Sequence, residues 1–161
     1  MPEVRLEPMS DEQYAEFRTR SEASYATQIA ASRAVPLPEA RRQAAEDHER
    51  LLPEGVRTPG HYLWTAYDGA EPVGDLWLHM ETRPDGRHAF GYGFEVRPEL
   101  RRRGYGRAIT EAAEQKCREL NVVSIGLTVF GPNKAAQNLY EDLGFEVTVL
   151  QMRKHLSTTY G

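Results

Sequence analysis

The sequence has little of what membrane-bound or secreted proteins need. Cys117 is the single cysteine among 161 residues, so the chain cannot form an internal disulfide, and this suits a reducing compartment. No segment approaches the ~18–20 consecutive apolar residues needed to cross a bilayer. The first five residues carry no apolar run of the kind that opens a secretory signal. We therefore expect a cytoplasmic protein without a membrane partner.

Basic residues are also scarce, since the sequence contains 20 Lys and Arg against 24 Asp and Glu, which gives a net charge of -4. An acidic chain with one short basic stretch is a poor candidate for nucleic-acid binding. We find no metal-ligand spacing among the candidate ligands, and we expect no metal. These candidates are His48, His61, His79, His88 and Cys117. Without repeats or low-complexity segments, residues 1–161 are expected to form one domain.

The hydrophobic pattern predicts helices and strands in the order β-α-α-β-β-β-α-β-α-β, an α+β domain around a mixed sheet. Ser10 is predicted to cap the first helix, and Gly144 to end the last one. The strands are expected at 4–7, 61–67, 73–80, 88–96, 122–130 and 145–153, and the helices from 10, at 38–52, at 107–120 and from 133 to 143, with a loose tail over 156–161.

Two of these strands carry more specific expectations. Residues 122–130 are continuously apolar, which favours burial on both faces. In the strand at 88–96 the residue types alternate, so one face should pack on a core while the other is nearly bare backbone ending in a carboxylate. The core face would hold Phe90, Tyr92, Phe94 and Val96, and the bare face Gly91, Gly93 and Glu95.

A run of arginines between this strand and the next helix is the strongest functional signal. Residues 97–107 contain five arginines and one glutamate, a local charge of +4 on an acidic protein. Gly104 and Gly106 close the run where a helix should begin, and a helix start offers unpaired backbone N–H groups and a partial positive charge. This combination predicts a site for a small, multiply phosphorylated ligand.

Two familiar phosphate motifs do not account for this run. Ile109 stands where the dinucleotide fingerprint needs a third Gly or Ala, and the Gly-Lys-Ser/Thr ending of the P-loop is missing. What fits is the pair Arg101-x-x-Gly104-x-Gly106 and, at a second strand-to-helix junction, Asn133 with Tyr140 seven residues later, followed by Leu143-Gly144-Phe145. This pair resembles the GNAT superfamily of N-acetyltransferases over residues 73–153.

The resemblance implies a fold and a donor. The fold is a GNAT-like three-layer α+β arrangement, with helices on both faces of a mixed central sheet and two strands splayed at the acetyl-CoA site. Residues 1–60 would supply helices on the acceptor side, and 73–153 the acetyl-CoA-binding core. Asn133 has two compatible roles, as a helix cap and as a contact of the pantetheine arm. The implied acetyl-CoA-binding residues are Phe94, Val96, Arg101, Arg102, Arg103, Gly104, Tyr105, Gly106, Arg107, Asn133 and Ala136.

The resemblance also implies the catalytic groups. Tyr140 would protonate the leaving CoA thiolate, although its helical position also suits a core aromatic. Glu95 is the first candidate for the base that deprotonates the acceptor amine, and His79 and Asp75 are weaker ones. Many relatives carry this base earlier on the strand, near His88 or Phe90 of this sequence. Cys117 is expected in a helix core, and Trp64 and Trp77 as core or pocket walls.

We therefore interpret the sequence as an acetyl-CoA-dependent N-acetyltransferase that works by direct attack of a primary amine in a ternary complex. The acceptor would be a small-molecule or peptide amine, and a homodimer is compatible with the sequence. Two other hypotheses remain open at this point. One is a non-catalytic acyl-CoA-binding regulatory module on the same fold, and the other is an unrelated nucleotide-phosphate binder with a basic turn.

Overall fold

A computed structural model describes residues 2–157 of the chain. Most of the tail expected over 156–161 therefore lies outside the described residues. The chain order is β1, α1, α2, β2, β3, β4, α3, β5, α4, with short 3₁₀ turns before β2 and α3. The bounds are Arg5–Pro8 (β1), Asp11–Arg33 (α1), Leu37–Leu51 (α2), His61–Asp68 (β2), Glu71–Arg83 (β3), Gly86–Val96 (β4), Tyr105–Glu119 (α3), Val122–Leu127 (β5) and Lys134–Asp142 (α4).

Local sequence signals start the first helix where we expect it. The Ser10 side chain accepts a hydrogen bond from the Gln13 N–H, and the Gln13 side chain accepts one from the Ser10 N–H. This capping box satisfies two N–H groups that a helix start would otherwise leave unpaired. The helix that follows buries Phe17, Ala26 and Ile29.

The five strands form one sheet in the order β1-β2-β3-β4-β5, antiparallel except for the parallel pair β4–β5. Two apolar clusters lie on opposite faces. On one face Phe17 of α1 and Leu52 pack with Leu63 and Trp77. On the other, Ile109 and neighbouring residues of α3 pack on the sheet. The fold is thus α+β with helices on both faces of a mixed sheet, which confirms the expected fold class.

A β-bulge in β4 contradicts the simple alternation expected for this strand. Trp77 pairs with Gly93 and Leu78 with Gly91, so Tyr92 has no partner in β3. The extra residue turns Tyr92 onto the α1–α2 face, where its ring stacks on Trp77 with centroids 4.8 Å apart. Phe94 and Val96 pack on the opposite, α3 face.

The face assignment of β4 therefore has to be corrected. Phe90 lies with Tyr92, at 4.9 Å between ring centroids, and not with Phe94 and Val96. A Cβ built on Gly91 would collide with the Phe94 ring, whereas one built on Gly93 would approach only Trp77. Gly91 and Gly93 thus belong to different faces, because a bulge shifts the two-residue period by one.

The C-terminal part of the chain differs most from expectation. β5 ends at Leu127 instead of Phe130, and it is not buried on both faces, since Val123 is 62% exposed. The strand expected at 145–153 is absent, because these residues form no ladder with β5 or with any other described strand. Apolar, β-prone sequence alone does not make a strand when no edge pairs with it.

Candidate active site

The site is built where β4 and β5 diverge. The two strands pair from Arg87 with Val122 to Gly91 with Leu127, and the ladder ends there. β4 continues to Val96, and between residues 92 and 96 no described residue pairs with the edge of β4 that faces β5. The splay begins at the Tyr92 bulge and leaves backbone N–H and C=O groups free for an extended ligand.

The arginine run lies directly after this free edge. Gly104 takes φ +87° as the N-cap of α3 and offers no side-chain cap, so the first N–H groups of the helix lack protein acceptors among the described residues. Arg101, Arg102 and Arg103 are exposed, and no carboxylate of the described chain lies within 4 Å of their guanidinium groups. Arg107 reaches Glu111 only at 3.9 Å. Free amides and unpaired cations together suit a pyrophosphate.

Two residues of this turn also have structural tasks. The Tyr105 hydroxyl donates to Asp68 Oδ2 at 2.6 Å, and this hydrogen bond raises the pKa of Tyr105. Its side chain therefore fastens the turn to the β2–β3 hairpin and leaves the amide for a ligand. At Gly106 an added Cβ would lie 3.0 Å from Leu139 Cδ2, so this glycine lets α3 and α4 pack closely.

Asn133 is the N-cap of α4. Its Oδ1 accepts a hydrogen bond from the Ala136 N–H at 3.2 Å, which confirms the expected capping role. The side-chain amide of Asn133 is exposed and points no donor at a described acceptor. Gly106 contacts Leu139 of the same helix, so α4 is held beside the start of α3.

Tyr140 lies next to the free edge of β4. Its ring packs edge-on against Phe94, with centroids 5.9 Å apart, and against Phe145 at 5.4 Å. Burial raises the pKa of the Tyr140 hydroxyl to about 12, because the phenolate would lose its solvation there. Tyr140 is thus both a packed aromatic and a protonated hydroxyl beside the splay.

Glu95 lies on the opposite face, directly across from Asp75 in the β3–β4 ladder. Asp75 is buried and held by two guanidinium groups, Arg20 of α1 at 3.1 Å and Arg97 at 3.2 Å. Asp75, a weaker candidate for the base, thus already has two ion-pair partners in the described chain. The Glu95 carboxylate makes no hydrogen bond or ion pair with the described residues, although its backbone belongs to the ladder.

His79 belongs to an aromatic cluster on the same face as Glu95. The His61 and His79 rings lie 4.5 Å apart, and the Trp77 Nε1–H donates to His61 Nδ1 at 2.9 Å. Burial, with a smaller contribution from His79, lowers the pKa of His61 to about 4, so His61 is neutral at pH 7. In the β3–β4 ladder His79 pairs with Phe90. His79 lies two residues after Trp77 in β3, on the far side of the bulge.

Three features of the site have no counterpart in the sequence analysis. They are the stacking of Tyr92 on Trp77, the Arg20–Asp75–Arg97 ion cluster and the contact of Tyr25 with Phe130, whose centroids are 6.1 Å apart. Gly91 and Gly93 on either side of Tyr92 were a sequence signal for the bulge, because glycine inside a strand often marks one. The ion cluster joins residues more than fifty positions apart and has no local signal.

Comparison with known proteins agrees with this geometry. The sequence profile of the Acetyltransferase (GNAT) family matches residues 14–145, which include the splayed strands, the arginine turn and α4. The chain belongs to the GNAT family of acetyltransferases. Among curated GNAT relatives, the N-acetyltransferases YdgE and YycN of Bacillus subtilis (strain 168) are 30% and 32% identical over 94% and 95% of this chain, and these matches cover 97% and 99% of the relatives.

Solved structures support the same fold. The crystal structure of the acetyltransferase YycN from Bacillus subtilis matches with a TM-score of 0.92 at 30% identity, over 96% of this chain and 99% of that one. A GCN5-related N-acetyltransferase from Ralstonia eutropha JMP134 matches with a TM-score of 0.71 at 18% identity, over 95% and 98%, which shows the fold alone. Within residues 2–157 no helix has the length and apolar character of a membrane span, and no three His, Cys, Asp or Glu side chains cluster as metal ligands would.

Proposed function

We propose that this GNAT enzyme transfers the acetyl group of acetyl-CoA to a primary amine by direct attack in a ternary complex. The observation that carries the proposal is the continuity of three elements. The free edge of β4, the uncapped start of α3 and the Tyr140 hydroxyl follow one another along the α3 face of the sheet. An extended thioester with a pyrophosphate at one end matches this order of groups.

The chain's residues would divide the binding of acetyl-CoA among them. Arg101, Arg102 and Arg103 would neutralise the pyrophosphate together with the α3 amides of residues 105–107. The backbone of Phe94 and Val96 would bond the pantetheine arm and polarise the thioester carbonyl, because N–H groups aimed at a developing oxyanion stabilise it. Asn133 and Ala136 at the start of α4 would complete this side of the site.

Tyr140 would act as the proton donor to the departing thiolate. Its raised pKa keeps the hydroxyl protonated throughout the working range, so the donor form is always present. A phenol with a pKa of about 12 is a weak acid toward a thiolate in water. The burial that raises this pKa also desolvates a thiolate placed beside it, and this raises the affinity of the thiolate for a proton in the same way.

Glu95 would receive the acceptor on the α1–α2 face. A carboxylate without a protein partner attracts an ammonium group and can accept its proton, which leaves the free amine needed for attack. The Gly93 position keeps the floor next to Glu95 open, because an added Cβ would meet only Trp77 there at 3.7 Å. Acceptor and donor would then approach β4 from opposite faces.

The Tyr140→Phe variant tests the proposal, because it removes the hydroxyl and keeps the ring packed on Phe94 and Phe145. We expect kcat to fall by about 10²–10⁴-fold, with little change in acetyl-CoA affinity. Free CoA release, measured against a panel of primary amines, is the assay. The matched control is Tyr67→Phe, which loses a hydroxyl bonded to Gln13 and should keep its rate. An unchanged Tyr140→Phe rate while chemistry limits turnover would leave Tyr140 as a packing residue only.

A further inference from the structure

The ion cluster across the ladder from Glu95 carries an excess of positive charge. The buried Asp75 carboxylate lies 3.1 Å from Arg20 and 3.2 Å from Arg97, so two guanidinium groups share one carboxylate. Neither arginine comes within 4 Å of another carboxylate of residues 2–157, Glu95 included. An unpaired anion and an excess cation therefore lie side by side on the α1–α2 face.

The two arginines also keep hydrogen-bond donors unused. Arg20 bonds both oxygens of Asp75 through Nη2 alone, at 3.3 and 3.1 Å, and Arg97 bonds one of them through Nη1 alone. The Nε of Arg20 is buried and has no acceptor among the described residues. A buried donor normally has a partner, and a guanidinium group has five N–H donors suited to carboxylate oxygens. The cluster therefore has room for a second carboxylate.

Aromatic rings adjoin these charges. Tyr92 stacks on Trp77 and is 40% exposed. Farther along α1, Tyr25 reaches Phe130 beyond the end of β5, with ring centroids 6.1 Å apart. The strand at Gly93 has no side chain, and a Cβ built there would meet only Trp77. An exposed ring beside open backbone suits a flat apolar group.

The charges do not suit a polycation such as a polyamine. Each ammonium group of such a ligand calls for a carboxylate, and of the facing pair only Glu95 is without a partner in the described chain. A second ammonium group on that side would meet the excess positive charge of Arg20 and Arg97. Like charges at this range repel each other.

We propose that the acceptor is a free α-amino acid with an aromatic side chain, an inference that rests on the proposed acetyl transfer. Its ammonium group would bind Glu95, its carboxylate would bind Arg20 and Arg97, and its ring would lie on Tyr92. An α-amino acid carries both charges on one carbon. Glu95 and Asp75 face each other across the ladder, where Cβ atoms are about 4.5–5.5 Å apart, so the two charged sites are close enough for one such ligand.

The proposed reaction balances with this acceptor. One ammonium proton passes to Glu95, the amine nitrogen bonds the thioester carbonyl carbon, and the C–S bond breaks. The thiolate takes a proton from Tyr140, and the second nitrogen proton, released as the amide forms, replaces it. The products are an N-acetyl amino acid and CoA, and the proton on Glu95 returns to solvent.

The acceptor preference of the unaltered protein is the first measurement. CoA release is followed with L-phenylalanine, L-alanine, phenethylamine and spermidine at one acetyl-CoA concentration. Phenethylamine is phenylalanine without its carboxylate, and L-alanine lacks the ring. We expect kcat/KM to be highest with L-phenylalanine. If spermidine or phenethylamine is the better substrate, acetyl transfer to amines stands and the amino-acid acceptor is wrong. If L-alanine equals L-phenylalanine, the aromatic part is wrong.

The Arg20→Gln variant tests the carboxylate site. The ratio of kcat/KM for L-phenylalanine to that for phenethylamine should fall by about 10–100-fold, the effect of losing a charge-assisted hydrogen bond. Damage to the fold or to catalysis, and the different basicities of the two amines, cancel in this comparison with the parent. The matched control is Arg18→Gln, because Arg18 pairs with Glu22 and Glu49 instead of Asp75 and should keep the parent's ratio.

Two results would contradict the inference in different ways. An equal loss with both substrates in Arg20→Gln would show that Arg20 only supports the structure, which overturns the carboxylate site and leaves the proposed function intact. A parent protein that binds acetyl-CoA in calorimetry and acetylates none of the four amines would refute the amino-acid acceptor together with the proposed transfer.

Discussion

Gly91 is a position where one added methyl group should disturb the candidate site directly. A Cβ there would collide with Cε2 of the Phe94 ring, which in turn packs on Tyr140. Gly93, two residues along the same strand, is the matched control, because its Cβ would meet only Trp77 Cβ, at an ordinary 3.7 Å. Both substitutions restrict the unfolded chain equally, so this contribution cancels between them.

The expected loss of folding stability in Gly91→Ala follows from overpacking. Forcing a methyl group into a packed space costs about 1–3 kcal/mol, so Gly91→Ala should be less stable than Gly93→Ala by that amount. For a chain of this length the melting temperature should be lower by several degrees, since each kcal/mol shifts it by about 2–4 °C. Displacement of Phe94 should also lower kcat through Tyr140. Calorimetric melting and CoA release measure the two effects.

A double-mutant cycle assigns this cost to the ring. Phe94→Leu removes the atoms that the new methyl group would strike, so the destabilisation by Gly91→Ala should largely disappear in the Phe94→Leu background. If Gly91→Ala were as stable as Gly93→Ala, or if its cost persisted without the ring, the bulged arrangement of β4 described above would be wrong.

Three further predictions concern the donor, the acceptor and acid stability. Arg101→Glu and Gly104→Val should each weaken acetyl-CoA binding measured by calorimetry, the first through charge and the second through strain at φ +87°; unchanged affinity in folded variants would remove the turn from the site. Glu95→Gln should lose activity most at low pH, where free amine is scarcest, and a pH–rate profile that overlays the parent would exclude Glu95 as the base. Because the pKa of His61 falls from 6.5 to about 4 on folding, the unfolded chain takes up the proton first, and the free energy of unfolding should fall as the pH drops from 6.5 to 4. His61→Asn keeps an acceptor for Trp77 and should flatten that dependence in urea titrations; an equally steep titration would show that His61 does not cause it.

The sequence predicts most of the fold, because most elements are defined by local signals. Ser10 caps α1 through Gln13 and Asn133 caps α4 through Ala136, each three residues from its partner, and Gly104 opens α3 without a side-chain partner. Cys117 is buried in α3, as expected from its position on the apolar stripe. Signals between residues so close in the sequence can be recognised without knowledge of the tertiary structure.

What the sequence does not predict depends on distant partners. The bulge at Tyr92 is set by the β3 register, in which Trp77 and Leu78 take Gly93 and Gly91 as partners. The Asp75 ion cluster needs Arg20 from a helix 55 residues earlier. The expected last strand at 145–153 has suitable composition, but a strand forms only when it pairs with an edge, and these residues do not pair with the free edge of β5.

The bulge and the splay have one physical origin. An extra residue in β4 increases the local twist and ends its parallel ladder with β5 at the Gly91–Leu127 pair. The same shift turns Phe94 toward Tyr140 and leaves Glu95 on the opposite face, across from Asp75. A regular β4 would keep Phe94 on the face of Phe90 and close the edge against β5. One inserted residue therefore separates the face of Tyr140 from the face of Glu95 and frees the backbone between them, and this is the point of the sheet where we propose the site.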